Sequence, residues 1–398
     1  MTRFPALRTY VLLRGLLALF NTTIFSIAPL FRISAIGMSP LELVAVGTLL
    51  EASIFVCEIP TGVVADTYSR RLSVIIGVAL IGLASVIEGA LASLAGTFIA
   101  QAVWGVGYTF TSGATEAWIV DELGEAGAAP ALLRGAQAEQ IGVLAGIPCG
   151  MLLASGALWL PLVVGGAGTA LLAALLAAVM PERGFRPTPQ AERSTWRQLA
   201  DTFGAGAGVV RRSSLLLTIL ALTAIAGASS EGFDRLWPYH LTATIGLPAW
   251  GGLSPVIWFG LLNGAAAVLS MIATRMIAGR FDETRQRRVA RALLGIDLLL
   301  IAALALFALA GNFAVAALGF LAVTLLRRIS GPLRSVWINQ HIPSGVRATV
   351  LSMNSQFDAL GQIGGGPVLG FIGNRSVRAA LVAAALFLAP GIGLYQRT

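Results

Sequence analysis

The chain has 398 residues, of which 56% are hydrophobic and only 12% charged, and its mean hydropathy is +0.81. Soluble domains carry about 25% charged residues, and a globule of this size has too little interior to hide so much apolar surface. A soluble protein and a disordered chain are both excluded, and the composition is that of a polytopic membrane protein.

The net charge of +8 is carried by arginine, since the chain has no lysine. In a membrane protein such an excess holds cytoplasmic loops against anionic lipid and gives no reason to expect nucleic acid. Cys57 and Cys149 both lie in apolar stretches, so no disulfide scaffold is indicated. His240 and His341 are too few and too scattered for a histidine-rich metal site. No metal and no other cofactor is expected.

A span needs about 20 mostly apolar residues to cross roughly 30 Å of hydrocarbon. By that rule the chain holds about twelve, near 10–33, 41–65, 72–93, 97–120, 134–156, 158–180, 214–240, 254–278, 289–310, 312–338, 349–373 and 376–395. Residues 1–9 are short and basic, and the apolar run after them passes Asn21 without a small-residue cleavage site, so it reads as a retained first span. With the N-terminus inside, the cytoplasmic segments hold Arg3, Arg8, Arg70, Arg71, Arg134, the group from Arg183 to Arg212, Arg280 to Arg291, Arg347 and Arg397. The external side keeps Arg32, Arg375 and Arg378. This bias predicts both termini in the cytoplasm and a multi-pass protein of the bacterial cytoplasmic (inner) membrane.

The longest hydrophilic segment, 181–212, opens with Pro181, Pro187 and Pro189, which favour extended chain. Ser194 to Arg212 then mixes Trp196, Leu199, Phe203 and Val209 with polar residues. It is either an amphipathic helix lying on the membrane or a plain solvated linker. It divides the chain into a first half, 1–180, and a second half, 213–398, of six spans each.

The halves repeat each other. Gly62 to Arg71 and Gly279 to Arg288 both read G-x-x-x-[D/E]-T-x-x-R-R, at an offset of 279 − 62 = 217. Ser112-Gly113 aligns with Ser330-Gly331 (330 − 112 = 218), which sets Glu116 opposite Arg334 with an exchange of sign. Gln137-x-Glu139-x-x-Gly142-x-x-x-Gly146-x-Pro148 matches Gln356-x-Asp358-x-x-Gly361-x-x-x-Gly365-x-Pro367 (356 − 137 = 219). Three matches in chain order predict two six-helix bundles related by an axis along the membrane normal, a transporter arrangement.

At these residues the sequence resembles the major facilitator superfamily over nearly its whole length. Gly62, Asp66, Arg70 and Arg71 match the family's loop motif G-x-x-x-D-R-x-G-R-R, with Thr67 and Ser69 as departures. Glu58-Ile59-Pro60-Thr61-Gly62, Ser112 to Ala117 and Arg347 to Ser352 resemble the bacterial drug:proton efflux branch. Gly142 to Gly150 is similar to the antiporter motif, with one extra residue between Gly146 and Pro148.

The resemblance implies alternating access and a gating latch built from Gly62, Asp66, Arg70 and Arg71, with Asp121 placed to join it, and its second copy Gly279, Glu283, Arg287 and Arg288. The plain alternative, a solvated turn between two helices, does not account for the repeat. The superfamily's cavity-lining spans point to Asn21, Thr22, Tyr108, Thr111, Glu231, Trp237 and Arg327, and Glu116 and Gln362 join these candidates. Trp237 also suits interface anchoring, which weighs more for it. Such a lining fits a small, moderately hydrophobic organic compound.

Ionisable groups inside hydrocarbon mark functional sites by default. A carboxyl group held out of water can load and release a proton near neutral pH. Glu51, Glu231 and Asp358 are the candidates. A static ion pair, for instance Asp358 with Arg327 or Arg328, is an equally weighted reading. Asp234 beside Arg235 reads as a local pair or an external gate. Gly142, Gly146, Pro148, Gly361, Gly365 and Pro367 read as helix-packing and kink positions.

No zinc pair, Cys/His cluster, nucleophile motif or P-loop is present, so neither an intramembrane enzyme nor direct ATP drive is expected. The sequence therefore predicts an all-α secondary transporter whose partners are a small-molecule substrate, protons and lipid, acting as a monomer. Export by proton exchange follows from the efflux resemblance. Proton-coupled uptake of a small metabolite would use the same acids.

Overall fold

The computed structural model describes residues 5–186, 204, 207–208, 210–249, 252–277, 286–340, 342 and 347–395. Among them every regular element is helical. In chain order these are α1 (Ala6–Phe25), α2 (Ala28–Phe31) with a π-helical turn at Arg32–Ile36, α3 (Pro40–Thr67), α4 (Arg70–Leu91), α5 (Leu94–Thr111), α6 (Ala114–Gly156) and α7 (Leu160–Val179). Then come α8 (Ser214–Tyr239), a π-helical turn at His240–Ile245, α9 (Pro255–Ile277), α10 (Gln286–Ala308), α11 (Phe313–Asn339), α12 (Arg347–Arg375), α13 (Val377–Phe387) and α14 (Ala389–Tyr395).

Ten stretches among the described residues are long and apolar enough to cross a membrane. One of them, Leu94–Gly156, contains both spans expected at 97–120 and 134–156. The expected span 349–373 falls in α12, which is absent from the ten because Asn354, Gln356, Asp358, Gln362 and Asn374 dilute its apolar character. The loop expected between 120 and 134 is helical, and α6 continues through it with one break. At Gly124 the backbone takes φ 70°, ψ 167°, a conformation that glycine alone adopts cheaply.

Short connections are set by local capping. Ser69 Oγ accepts from Leu72 N at 2.9 Å, Ser93 Oγ from Gly96 N at 3.1 Å, and Asn312 Oδ1 from Val315 N at 3.0 Å. Each satisfies an otherwise orphaned amide where an apolar helix begins.

The chain packs as two compact units. The first comprises Met1–Met38, Leu49–Ser194 and Ser254–Asn263, and the second Ser39–Thr48, Thr195–Leu253 and Gly264–Thr398. The second unit thus includes the start of α3, and the first includes the start of α9.

In the first unit Tyr10, Leu13, Trp118, Ile119, Leu172 and Met180 share one buried cluster. The Trp118 indole N–H, which hydrocarbon could not satisfy, donates to Pro181 O at 2.8 Å. In the second unit Leu216, Leu220, Leu293, Leu333, Trp337 and Tyr395 form the corresponding cluster.

The repeated glycines bring helix backbones together inside each unit. A Cβ at Gly146 would lie 2.6 Å from Leu19 O of α1, and one at Gly142 would collide with Gly15 O. In the second unit a Cβ at Gly361 would collide with Ala224 O of α8, and one at Gly365 would lie 2.7 Å from Ala228. Lipid offers no hydrophobic drive for helix association, so close backbone approach of this kind holds such helices together. Pro148 and Pro367 lie within these same helices, α6 and α12.

Candidate functional site

The first unit holds several charge clusters among the described residues. At the α3–α4 turn Arg70 is the hub. It donates to Asp121 Oδ2 at 2.7 Å and to Ala117 O at 2.9 Å, both on α6, and reaches Asp66 Oδ1 at 3.5 Å. Asp121 therefore stands where the resemblance implied, and it is a closer partner of Arg70 than Asp66 is. Arg71 donates instead to Ala177 O at 2.5 Å. A Cβ at Gly62 would meet nothing within 4 Å, so packing does not explain that glycine.

Glu182, which sequence reasoning missed, closes the turn by accepting from Ser69 Oγ at 2.8 Å and Arg71 N at 2.9 Å. Of the second copy, Gly279 and Glu283 lie outside the described residues, and Arg287 and Arg288 are described only as backbone of α10.

Another cluster centres on Arg14 of α1, also missed. It donates to Glu116 Oε1 at 3.1 Å and to Glu139 Oε2, both on α6. An arginine in the middle of the first apolar run was the available signal. Nearby polar candidates are less uniform. Asn21 Oδ1 is buried without a hydrogen-bond partner, Thr22 packs on Gly146, and Thr111 Oγ1 donates to Tyr108 O at 2.8 Å. Tyr108 stacks on Trp104 at 5.5 Å, and Trp104 meets Phe25 edge-on. Glu51 is half-buried on α3.

The second unit holds a polar cavity of about 210 Å³. Helix α8 contributes Ser229, Ser230, Phe233 and Asp234, α11 contributes Arg327, Ser330 and Arg334, and α12 contributes Asp358 and Gln362. This is below the roughly 300–1,000 Å³ that encloses a whole drug-sized ligand. The cavity has room for a few waters, or for one end of a larger molecule.

Its charges are paired in a definite pattern. Arg327 forms a two-pronged ion pair with Asp234, Nη1 to Oδ1 at 2.5 Å and Nη2 to Oδ2 at 2.9 Å. Arg334 Nη2 donates to both oxygens of the buried Asp297 on α10, at 2.9 and 3.1 Å. Asp358 Oδ2 accepts from Gln362 Nε2 at 2.9 Å, and among the described residues no arginine lies within ion-pair distance of it. Among the described residues lining the cavity, Asp358 is thus the carboxylate that makes no ion pair.

Several expected pairings resolve differently. Asp358 pairs with neither Arg327 nor Arg328. Asp234 and Arg235 do not pair with each other, because adjacent residues on a helix point apart whereas residues four apart face one another. Accordingly Arg235 Nε donates to Glu231 Oε1 at 3.0 Å. Glu231 is 1% exposed, and its second oxygen is buried without a partner. The sign exchange between Glu116 and Arg334 is answered within each unit, by Arg14 and Asp297 respectively. Trp237 does not line this cavity; it is buried with its ring 4.6 Å from Phe320.

Membrane-length helices that bury paired charges around a small polar cavity have the make-up of a membrane transporter. The sequence settles which kind. The chain belongs to the Major Facilitator Superfamily, whose family model matches residues 10–366. No curated protein sequence matches it significantly.

Solved structures share its fold at low identity. A mutant of the nucleoside transporter NupG aligns with a TM-score of 0.82 at 14% identity, covering 98% of this chain and 99% of that one. A bacterial homologue of the human lysosomal transporter Spinster, inward-facing and unoccupied, gives 0.71 at 15% identity over 98% and 95%. The peptide transporter POT in complex with sulfate gives 0.69 at 14% over 98% and 95%.

Proposed function

We propose that this transporter works by alternating access and exports a small, moderately hydrophobic organic compound or drug in exchange for protons, with Asp358 carrying the proton. The observation behind this is the charge pattern of the cavity. Asp234 is bound to Arg327, and Asp297 to Arg334, while Asp358 is hydrogen-bonded by the Gln362 amide and makes no ion pair among the described residues. A carboxyl group already neutralised by an arginine gains little from a proton. One without a cation exchanges a proton and a ligand competitively, which is the requirement for antiport.

In this reading residues 1–180 and 213–398 are the two moving bundles joined by 181–212, with both termini in the cytoplasm of a bacterium and one chain sufficing as a monomer. Arg70, held by Asp121 and Asp66, is the latch that binds helix ends in one state and frees them in the other. Gly62 and Arg71 complete it, with Gly279, Glu283, Arg287 and Arg288 as its second copy. Glu51 and Glu231 are the secondary proton candidates.

A second reading is proton-coupled uptake of a small polar metabolite. The serine, amide and guanidinium groups lining the cavity favour it, as do the nucleoside and peptide transporters among the structural relatives.

Inverted vesicles with an acidified lumen separate the two. Export predicts that a compound from a lipophilic panel evokes proton release from the lumen, and that Asp358→Asn abolishes it. Absence of proton movement with every panel compound, alongside proton-driven uptake of a nucleoside or peptide in right-side-out vesicles, would reverse the direction.

A further inference from the structure

Arg334 lines the same cavity as Asp358 yet is held from the other side. Its Nη2 bonds both oxygens of Asp297, which is 4% exposed. A carboxylate so deeply buried needs its lone pairs filled. The remaining donor is the Tyr395 hydroxyl, 2.7 Å from Asp297 Oδ2. Tyr395, on α14, is itself buried and stacks on Trp337 of α11 with ring centres 5.8 Å apart. Meanwhile Arg334 Nε is buried without an acceptor. The guanidinium is therefore bound to Asp297 through Nη2, while its Nε has no acceptor among the described residues.

We infer that Asp297, steadied by Tyr395, is a positioning residue that holds Arg334 away from Asp358 and so keeps that cavity carboxyl without a cation. This rests on the reading of Asp358 as the proton carrier.

The neighbourhood leaves few other controls. The groups facing Asp358 are Arg327 and Arg334 from α11 and Asp234 from α8. Glu231, also on α8, is occupied by Arg235, and Arg327 is occupied by Asp234. From α13 only Arg378 carries charge, and it donates to Ala310 O at 3.3 Å. Arg334 is the cation whose alternative partner is Asp358, and Asp297 is what denies it that partner. The hydrogen bond from Tyr395 fixes the Asp297 carboxyl in place, which strengthens the hold.

The test is labelling of Asp358 by a hydrophobic carbodiimide, which modifies protonated carboxyl groups. It is read by mass spectrometry on full-length protein in lipid nanodiscs, as the labelled fraction of the peptide that carries Asp358. An arginine brought within about 4–6 Å of a carboxyl lowers its protonated fraction at least tenfold. Asp297→Asn should therefore cut Asp358 labelling about tenfold. Tyr395→Phe should act in the same direction by less, and Asp297→Asn with Arg334→Gln should restore labelling.

Wild-type labelling in both single variants would overturn the positioning role and leave the proton carrier standing. Tyr395→Phe keeps that outcome readable if the Asp297 variant fails to fold. No labelling of wild-type Asp358 at any pH the folded protein tolerates would overturn the carrier and the positioning role together.

Discussion

Arg32 and Glu88 offer a prediction whose size follows from the structure. Arg32 Nε and Nη2 bond the two Glu88 oxygens at 2.6 and 3.0 Å, and Gln101 Nε2 adds a third bond at 3.0 Å. The paired side chains are only 7% and 3% exposed, so water screens almost none of this. The cluster ties the π-helical turn after α2 to α4 and α5.

Glu88→Ala leaves a guanidinium buried with no counter-charge, which costs about 3–5 kcal/mol. That is roughly two to four orders of magnitude in the unfolding equilibrium. The pair as a whole contributes far less, because its attraction is set against the cost of desolvating both ions. Arg32→Met combined with Glu88→Leu should therefore recover most of the loss. Unfolding of the three proteins in lipid bicelles, titrated with denaturing detergent, measures both effects. A Glu88→Ala protein within about 1 kcal/mol of wild type, or a double variant no more stable than the single one, would refute the reasoning.

Three further outcomes follow from the same contacts. Gly146→Val sets a side chain where even a Cβ lies 2.6 Å from Leu19 O, and should lower stability by about 1–3 kcal/mol or more, seen as a reduced melting temperature. Arg70→Lys should lose most transport in a solute-flux assay without unfolding the protein, because one ammonium does not reproduce the fork whose Nη1 bonds Asp121 and Ala117 O while its Nη2 reaches Asp66. Arg327→Gln should impair transport, and exchanging the pair as Asp234→Arg with Arg327→Asp should recover part of it. Activity unchanged in Arg327→Gln would remove that fork from the mechanism.

The all-helical membrane class was legible because it is written in long apolar runs, which survive without knowledge of packing. The loop motif was read from its repeat, and Asp121, which the resemblance implied, accepts a hydrogen bond from Arg70. Partner choice was not legible. Asp234 and Arg235 are neighbours in sequence but face different sides of α8. Each takes an arginine or glutamate that only the three-dimensional helix phase supplies.

Arg14 and Asp297 were overlooked, and Arg32 was read only as an external arginine, because each is a single charge whose meaning lies in a partner far along the chain: 102, 98 and 56 residues for the bonds to Glu116, Tyr395 and Glu88. The helical passage through 120–134 was hidden by the arginine, proline and glycines there. They suggest a loop, whereas in the structure only Gly124 departs from helix.

The central claim is that Asp358 couples solute movement to protons. Purified protein in proteoliposomes, loaded with a compound that evokes proton movement, separates movement from coupling. The account predicts that Asp358→Asn still exchanges labelled for unlabelled compound across the membrane but no longer accumulates it in response to a pH gradient. Accumulation that persists in Asp358→Asn at the wild-type level would contradict it.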